Sequence, residues 1–314
     1  MYITEDEVRG LLTYEALIPA MREALIDYSA GRVEQPARTI LRAGNAEGTR
    51  DGWFAVMPVI YRDVMGVKTV TFFAANAERE LPTHMALIEL LSRETGEPLA
   101  VMDGRLVTEM RTAAVSATAL DVLARKDVRS LGVLGAGVQA RAHLRALRIV
   151  RPGLEDVRVW SRRQESAAML ASESGARAVA IEDAAGADVV LTATASPEPV
   201  LMGRWLRPDA VVLAVGAVGS SLRELDDEAM GTSWVVAESR QNVEREAGDV
   251  VLSGARVAAE IGEILAGKGA ADVPRGRRIL FKSVGMAIED VVAARMVWKG
   301  RDQAPGTSDQ TSEI

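Results

Sequence analysis

The run Leu131-Gly132-Val133-Leu134 leads directly into Gly135-Ala136-Gly137-Val138-Gln139-Ala140, a G-x-G-x-x-A pattern that closes an apolar strand and opens a helical segment. In that setting each residue type has its own role. Gly135 permits the tight turn, Gly137 lets the backbone approach a pyrophosphate, and Ala140 lets the helix pack closely on the strand. The unpaired amides of the helix start then attract phosphate. A dinucleotide is the expected ligand. The next strand ends in Val157-Arg158-Val159-Trp160-Ser161-Arg162-Arg163. An NAD-binding chain carries an acid there for the ribose 2′-hydroxyl. A serine and two arginines suit a 2′-phosphate instead, so NADP(H) is expected, with NAD(H) as the alternative. The later runs Leu191-Thr192-Ala193-Thr194 and Ala214-Val215-Gly216 place small residues where a cofactor can lie across strand ends.

Three basic residues of the first half carry a second kind of chemistry. Lys68 interrupts the apolar run Gly66–Phe73. A buried ammonium is costly without a partner, and a lysine so placed can lose proton affinity and transfer protons; an edge position with a snorkelling stem is the plainer reading. Arg111 and Thr112 are expected to open an Ala-rich helix, 112–123, where a guanidinium fork and helix amides converge on a carboxylate. Arg38, two residues after Pro36, reads by itself as a loop residue. His84 reads as a turn or pocket-wall residue, His143 as a packing residue, and Asp226-Asp227-Glu228 as a solvated helix start.

These residues need a scaffold, and the chain divides accordingly. Thr4 with Glu7 forms a capping-box pattern for a short helix. Thr13 caps a second helix to about Ala30, with Gly31 at its stop and a kink or late start expected from Pro19. From Thr39 to Met102, short apolar runs separated by turn residues, including 93–96 and 102–104, predict a largely antiparallel sheet. After residue 123, strand and helix segments alternate, at 130–134, 138–148, 157–160, 163–175, 188–193, 210–215, 234–237 and 257–266, which implies parallel βαβ units. The expected fold class is α/β, a Rossmann-type doubly wound parallel sheet plus an α+β substrate and dimerisation domain. Residues 1–115 with a returning helix, 285–300, form the latter; 116–284 form the NAD(P)-binding domain; 301–314 are an expected disordered tail.

Composition narrows the function classes. The 314 residues include no cysteine and two histidines. That excludes disulfides, thiolate metal sites and a cysteine nucleophile, and no metal site is expected. A net charge of −7 gives no general attraction to nucleic acid or anionic membrane. An acidic N-terminus and the lack of a long apolar run fit a soluble, cytoplasmic protein.

The order of motifs resembles the ornithine cyclodeaminase/mu-crystallin family over nearly the whole chain, to about residue 298. The resemblance rests on Gly66-Val67-Lys68-Thr69, Leu81-Pro82-Thr83, Arg111–Ser116, Gly135–Gln139, Thr192–Thr194, Arg223-Glu224-Leu225 and Phe281–Asp290. It implies a homodimer of two-domain subunits with the active site between the domains, acting on amino acids or cyclic imines derived from them. It makes Arg38 and Arg111 a substrate-carboxylate clamp, Lys68 the proton-handling residue, Thr83 a pocket wall, and Val284-Gly285 the segment beside the nicotinamide. Two features differ from the cyclodeaminase-like pattern. The acid expected in the loop after Ala214-Val215-Gly216 falls on Val218 or Ser221. The glutamate expected just before Met57-Pro58 is replaced by Phe54-Ala55-Val56. A site without an ionised oxygen to activate water is therefore expected, and ornithine is disfavoured. The resulting expectation is an NADPH-dependent reductase of cyclic ketimine carboxylates of the pyrroline- or piperideine-2-carboxylate type, with Ser221 accepting from the imine N–H. The alternatives are an amino-acid dehydrogenase or ornithine/lysine cyclodeaminase, for which Glu224 would have to serve as the acid, and a non-catalytic, NADP-dependent ligand-binding protein.

Overall fold

A computed structural model describes residues 1–44, 52–268 and 273–302. The chain forms two compact units, one of residues 1–20, 32–111 and 286–314, the other of residues 21–31 and 112–285. Most of the tail, 303–314, lies outside the described residues.

The first unit is built on a six-stranded sheet. Its strands are β1 (Tyr2–Ile3), β2 (Thr39–Ala43), β3 (Gly52–Tyr61), β4 (Val64–Phe73), β5 (His84–Ser92) and β6 (Pro98–Asp103), in the order β1-β6-β5-β4-β3-β2. All pairs are antiparallel except β1 with β6. The period-two side-chain alternation puts Gly66, Lys68 and Val70 on one face of β4 and Val67, Thr69 and Thr71 on the other. Helix α1 (Glu5–Leu11) starts with the expected capping box, in which Glu7 Oε2 accepts from the Thr4 amide at 2.8 Å. Helix α2 (Tyr14–Ser29) contains Pro19 without a break or a late start. Only one helical hydrogen bond is lost there, and Leu17 and Met21 are fully buried around it, so packing outweighs the local cost.

Helix α3 (Arg105–Leu123) begins earlier than the sequence suggests. Asp103 Oδ1 accepts from the Arg105 amide at 2.8 Å and holds the first turn. The segment 102–104 is thus a strand-to-helix junction, and Arg111 sits well inside the helix, not at its N-terminus. The N-terminal amides of α3 itself are consequently not beside Arg111.

The second unit is an eight-stranded sheet. Its strands are β7 (Ser130–Leu134), β8 (Asp156–Trp160), β9 (Arg177–Ala178), β10 (Val189–Thr192), β11 (Val211–Ala214), β12 (Trp234–Ala237), β13 (Val257–Glu260) and β14 (Ile279–Lys282). The order is β13-β12-β14-β11-β10-β7-β8-β9, and every pair is parallel. Strands β7, β10 and β11 are buried along their whole length, as continuous Val/Leu runs demand when both faces are covered. The connecting helices are α4 (Val138–Val150), α5 (Gln164–Ser174), α6 (Ile181–Ala185), α7 (Asp227–Thr232), α8 (Arg240–Glu246), α9 (Gly248–Ser253) and α10 (Ile261–Leu265). Asp226 caps α7 by accepting from the Ala229 amide at 2.8 Å. Helix α11 (Ala287–Asp302) belongs to the first unit and takes in Arg301 and Asp302, which the sequence assigned to the tail.

Candidate active site

In the first unit, β4 is an interior strand and Lys68 points to its covered face, 2% exposed. Neither a snorkelling stem nor an edge position applies. The register aligns Met57, Lys68 and Ile88 across β3, β4 and β5. Helix α11 crosses this face, with Val291 packed over Gly66, and brings two consecutive acids, Glu289 and Asp290, to the lysine. Lys68 Nζ lies 2.5 Å from Asp290 Oδ2 and 3.5 Å from Thr108 Oγ1. Arg111 Nε donates to Asp290 Oδ1 at 3.0 Å, and Arg111 Nη1 pairs with Glu289 Oε2 at 2.5 Å. Both acids are fully buried, and Arg111 is 5% exposed.

The acids occupy the first turn of α11, where the helix dipole favours negative charge. That turn is completed by Gln35, whose Oε1 accepts from the Ile288 amide at 2.8 Å. Burial lowers the Lys68 pKa from 10.5 to about 8; Arg111 and Arg38 push the same way, and Asp290 opposes them. Burial works to raise the Asp290 carboxyl, but Arg111 and Lys68 hold it below its usual 3.8. His84, at the start of β5, is pushed down to about 4 by burial and by the charges of Lys68 and Arg111, so its ring is neutral near pH 7.

The structure thus brings Lys68 and Arg111 together, with Arg38 near enough to bear on the lysine. Thr83 lies half-buried just before β5, its carbonyl accepting from the Phe73 amide at 2.9 Å. Two buried carboxylates that the sequence reading did not place there, Glu289 and Asp290, stand in the cluster, each paired with a cation. The sequence contained the signal, because two adjacent acids inside the otherwise apolar Val284–Ala294 run raise the same burial problem as Lys68. His84 was likewise placed in a turn or wall and instead joins the cluster's electrostatics.

Along the Lys68 face toward the far end of β4, the next rows carry Ala55, Val70 and Ala86, then Trp53, Phe72 and His84. Trp53 stacks on Phe72 with ring centroids 5.8 Å apart. No carboxylate lies on these rows.

In the second unit, the sequence-predicted nucleotide residues converge because parallel strands end on one edge of a sheet. Gly135 to Gln139, Ser161 to Arg163, Thr192 to Thr194, Val215-Gly216 and Val284-Gly285 follow the ends of β7, β8, β10, β11 and β14 in turn. Gly135 has φ 119°, outside the range of ordinary L side chains, and a Cβ there would lie 2.5 Å from the Ala193 carbonyl. A Cβ on Gly137, the N-cap of α4, would meet nothing within 4 Å. The loop therefore has an open approach onto the amides of a helix N-terminus, which fits a dinucleotide pyrophosphate. Arg162 and Arg163 are exposed beside it, because Leu134 pairs with Trp160. Thr112 is buried in α3, and Ser221 is exposed in a turn after β11. His143 bridges α4 to α3. Its Nδ1 lies 2.7 Å from the Gln139 carbonyl, which only accepts, so Nδ1 carries the proton and Nε2 accepts from Ser116 Oγ at 2.9 Å.

A parallel sheet with this glycine loop defines a Rossmann-type dinucleotide-binding unit, accompanied by a sheet domain with a buried lysine–arginine–carboxylate cluster. The chain belongs to the ornithine cyclodeaminase/mu-crystallin family, which it matches over residues 1–304. It is 38% identical to the ketimine reductase mu-crystallin of Mus musculus over 307 residues, 95% of this chain and 96% of that one. Its fold is similar to that of Thermococcus litoralis Δ1-pyrroline-2-carboxylate reductase in complex with NADH and L-proline. The TM-score is 0.87 at 32% identity, over 96% of this chain and 97% of the other. An archaeal alanine dehydrogenase dimer with bound NAD gives a TM-score of 0.88 at 31% identity, over 96% and 95% of the two chains.

Proposed function

We propose that the protein is a reductase of cyclic ketimine carboxylates that uses NADPH in preference to NADH. The observation that carries this reading is the buried pairing of Lys68 and Arg111 with Asp290 and Glu289. Two cations are balanced by two acids, and Arg38 adds a further positive charge. The substrate carboxylate binds at the site's arginines. Arg111 and Arg38 bind it; a guanidinium fork matches a carboxylate in geometry as well as charge. Lys68, with a pKa of about 8, is mostly protonated at pH 7 and supplies the proton to the imine nitrogen or to a water that relays it. When bound, the nicotinamide coenzyme supplies the hydride to the imine carbon. Thr83 forms part of the pocket wall.

Asp290 does not serve as a water-activating base. Both its oxygens face cations that keep it ionised and weakly basic. The Trp53, Phe72 and His84 row offers no carboxylate to neutralise a side-chain ammonium. Both points weigh against a cyclodeaminase acting on ornithine or lysine. The relatives named as ketimine and pyrroline-2-carboxylate reductases support the same reaction class. The arginines after β8 support the 2′-phosphate preference.

We further propose a homodimer through the sheet face opposite Lys68. Leu41, Met85 and Leu87 lie on that face and are 58%, 40% and 45% exposed. A sheet face this apolar calls for a partner, and a related alanine dehydrogenase is a dimer. Light scattering on the parent and on Leu87→Glu tests it; a monomeric parent rejects the interface. The function itself is tested by following NADPH oxidation with pyrroline-2-carboxylate and piperideine-2-carboxylate. Turnover of either is expected. A protein that binds NADPH and turns over neither is not a reductase of this class.

A further inference from the structure

The proposed chemistry makes no use of three fully buried charged residues in the second unit, Glu224, Asp249 and Lys282. They form a continuous polar chain beneath the carboxyl edge of the parallel sheet. The Glu224 carboxylate collects donors from two neighbouring strand ends. From the last residue of β10 comes Thr192 Oγ1 at 2.9 Å, and from the loop after it the Thr194 amide and hydroxyl, each at 2.7 Å. From the loop after β11 come the amides of Gly216 at 2.8 Å and Ala217 at 3.1 Å. Burial pushes the carboxyl pKa above its usual value, and Lys282 and the Thr194 donors oppose that shift.

Lys282 fixes the second loop from the other side. Its Nζ donates to the Ala217 carbonyl at 3.0 Å and pairs with Asp249 Oδ2 at 2.8 Å. The other oxygen of Asp249 accepts from the backbone amides of Glu224 at 2.7 Å and Leu225 at 3.0 Å. Asp249 therefore holds the main chain that carries the glutamate. The loops themselves touch, since a Cβ on Gly216 would lie 2.1 Å from the Thr194 carbonyl.

Stability alone does not call for this arrangement. Well-packed apolar residues of similar volume hold a buried site at least as well as ions do. What the ions add is direction: a strand end and the loops beyond it and its neighbour are pinned at five donor positions by one side chain. In an open parallel sheet, the crevice outside the carboxyl ends is where a dinucleotide crosses, and such a crossing requires strand-end loops held to within about half an ångström.

We infer that Glu224 is a positioning residue for the dinucleotide, acting through the strand-end segments 192–194 and 216–217, and that Asp249 and Lys282 hold it in place. The inference rests on the dinucleotide reading of the glycine loop and requires no particular substrate.

The experiment measures NADPH binding by fluorescence titration and thermal unfolding without coenzyme, in the parent, Glu224→Gln, and the double variant Asp249→Leu with Lys282→Met. In Glu224→Gln an amide nitrogen faces loop donors, so NADPH Kd is expected to rise about tenfold or more. The double variant replaces an ion pair by apolar side chains of similar size. It also leaves the Glu224 and Leu225 amides and the Ala217 carbonyl without these partners, so its Tm is expected to fall; its Kd, measured well below that Tm, is expected to rise about fivefold or more. A double variant that keeps the parental Kd overturns the inference, as does a Kd that rises only as the temperature nears the lowered Tm. If Glu224→Gln does not fold, the double variant decides alone. A parent that binds neither NADPH nor NADH overturns the dinucleotide reading itself, a result separate from any behaviour of the variants.

Discussion

Each unit buries a lysine against an aspartate, yet the two networks use their charges differently. In the first, Lys68 and Arg111 face Asp290 and Glu289, charge against charge, and α11 brings both acids on consecutive residues. In the second, Lys282 faces Asp249, but the remaining acid, Glu224, is saturated by backbone amides and threonine hydroxyls. The first cluster is balanced and has a further arginine near it. The proposed chemistry has it receive an anion and move a proton. The second has every oxygen of Glu224 engaged and is organised to hold backbone in place. A buried lysine is therefore not a function by itself. What its counter-ions do with their remaining hydrogen-bonding capacity separates a reacting group from a brace.

This contrast predicts different failures. Replacing Lys68 by Met should give the largest effect, a fall in kcat of about a thousandfold for imine reduction, with NADPH Kd unchanged in the same preparation. An equal loss of coenzyme binding would erase the distinction between the networks. Arg111→Lys keeps the charge and loses the fork. It should raise the imine KM about thirtyfold while kcat falls far less, as initial rates at saturating NADPH would show.

The pH dependence is more particular. With the Lys68 ammonium as the proposed proton source, kcat/KM for the imine should fall as pH rises through about 8. Asp290→Asn removes the group that supports the ammonium, so the break should move to lower pH; an unmoved break would detach Lys68 from the profile. Stability runs the opposite way in this window. Between about pH 8 and 10.5 the unfolded chain binds more protons at Lys68 than the folded one. The lysine's contribution to unfolding free energy therefore rises with pH there.

Smaller effects are expected at the exposed residues. Replacing Arg162 and Arg163 together by Ala should lower the NADPH-over-NADH preference about tenfold, read from the ratio of kcat/KM values.

Local pattern determined a good deal. The glycine loop, the alternation of Val-rich strands with helices, the Thr4 capping box and the isolation of Lys68 in an apolar run all depend on neighbours within a turn or a strand. Composition and periodicity record such neighbours directly. The convergence of four strand-end loops also followed from the βαβ rhythm, because parallel strands share one carboxyl edge; the fifth, Val284-Gly285 after β14, came only from the family resemblance. Partnership at long range was different. Lys68 meets Asp290 across 222 residues of chain, an association made by α11 returning over the first sheet. Glu224 reads in sequence as part of a short polar segment, and only the adjacency of β10, β11 and β14 turns it into the common acceptor of two loops. The start of α3 was misplaced for a related reason: the Asp103 cap and the burial of the helix outweighed the local Arg111-Thr112 signal. Burial of a charge can be suspected from sequence, but which opposite charge stabilises it is decided by tertiary contacts, because electrostatic energy depends on distance in space and not on separation along the chain.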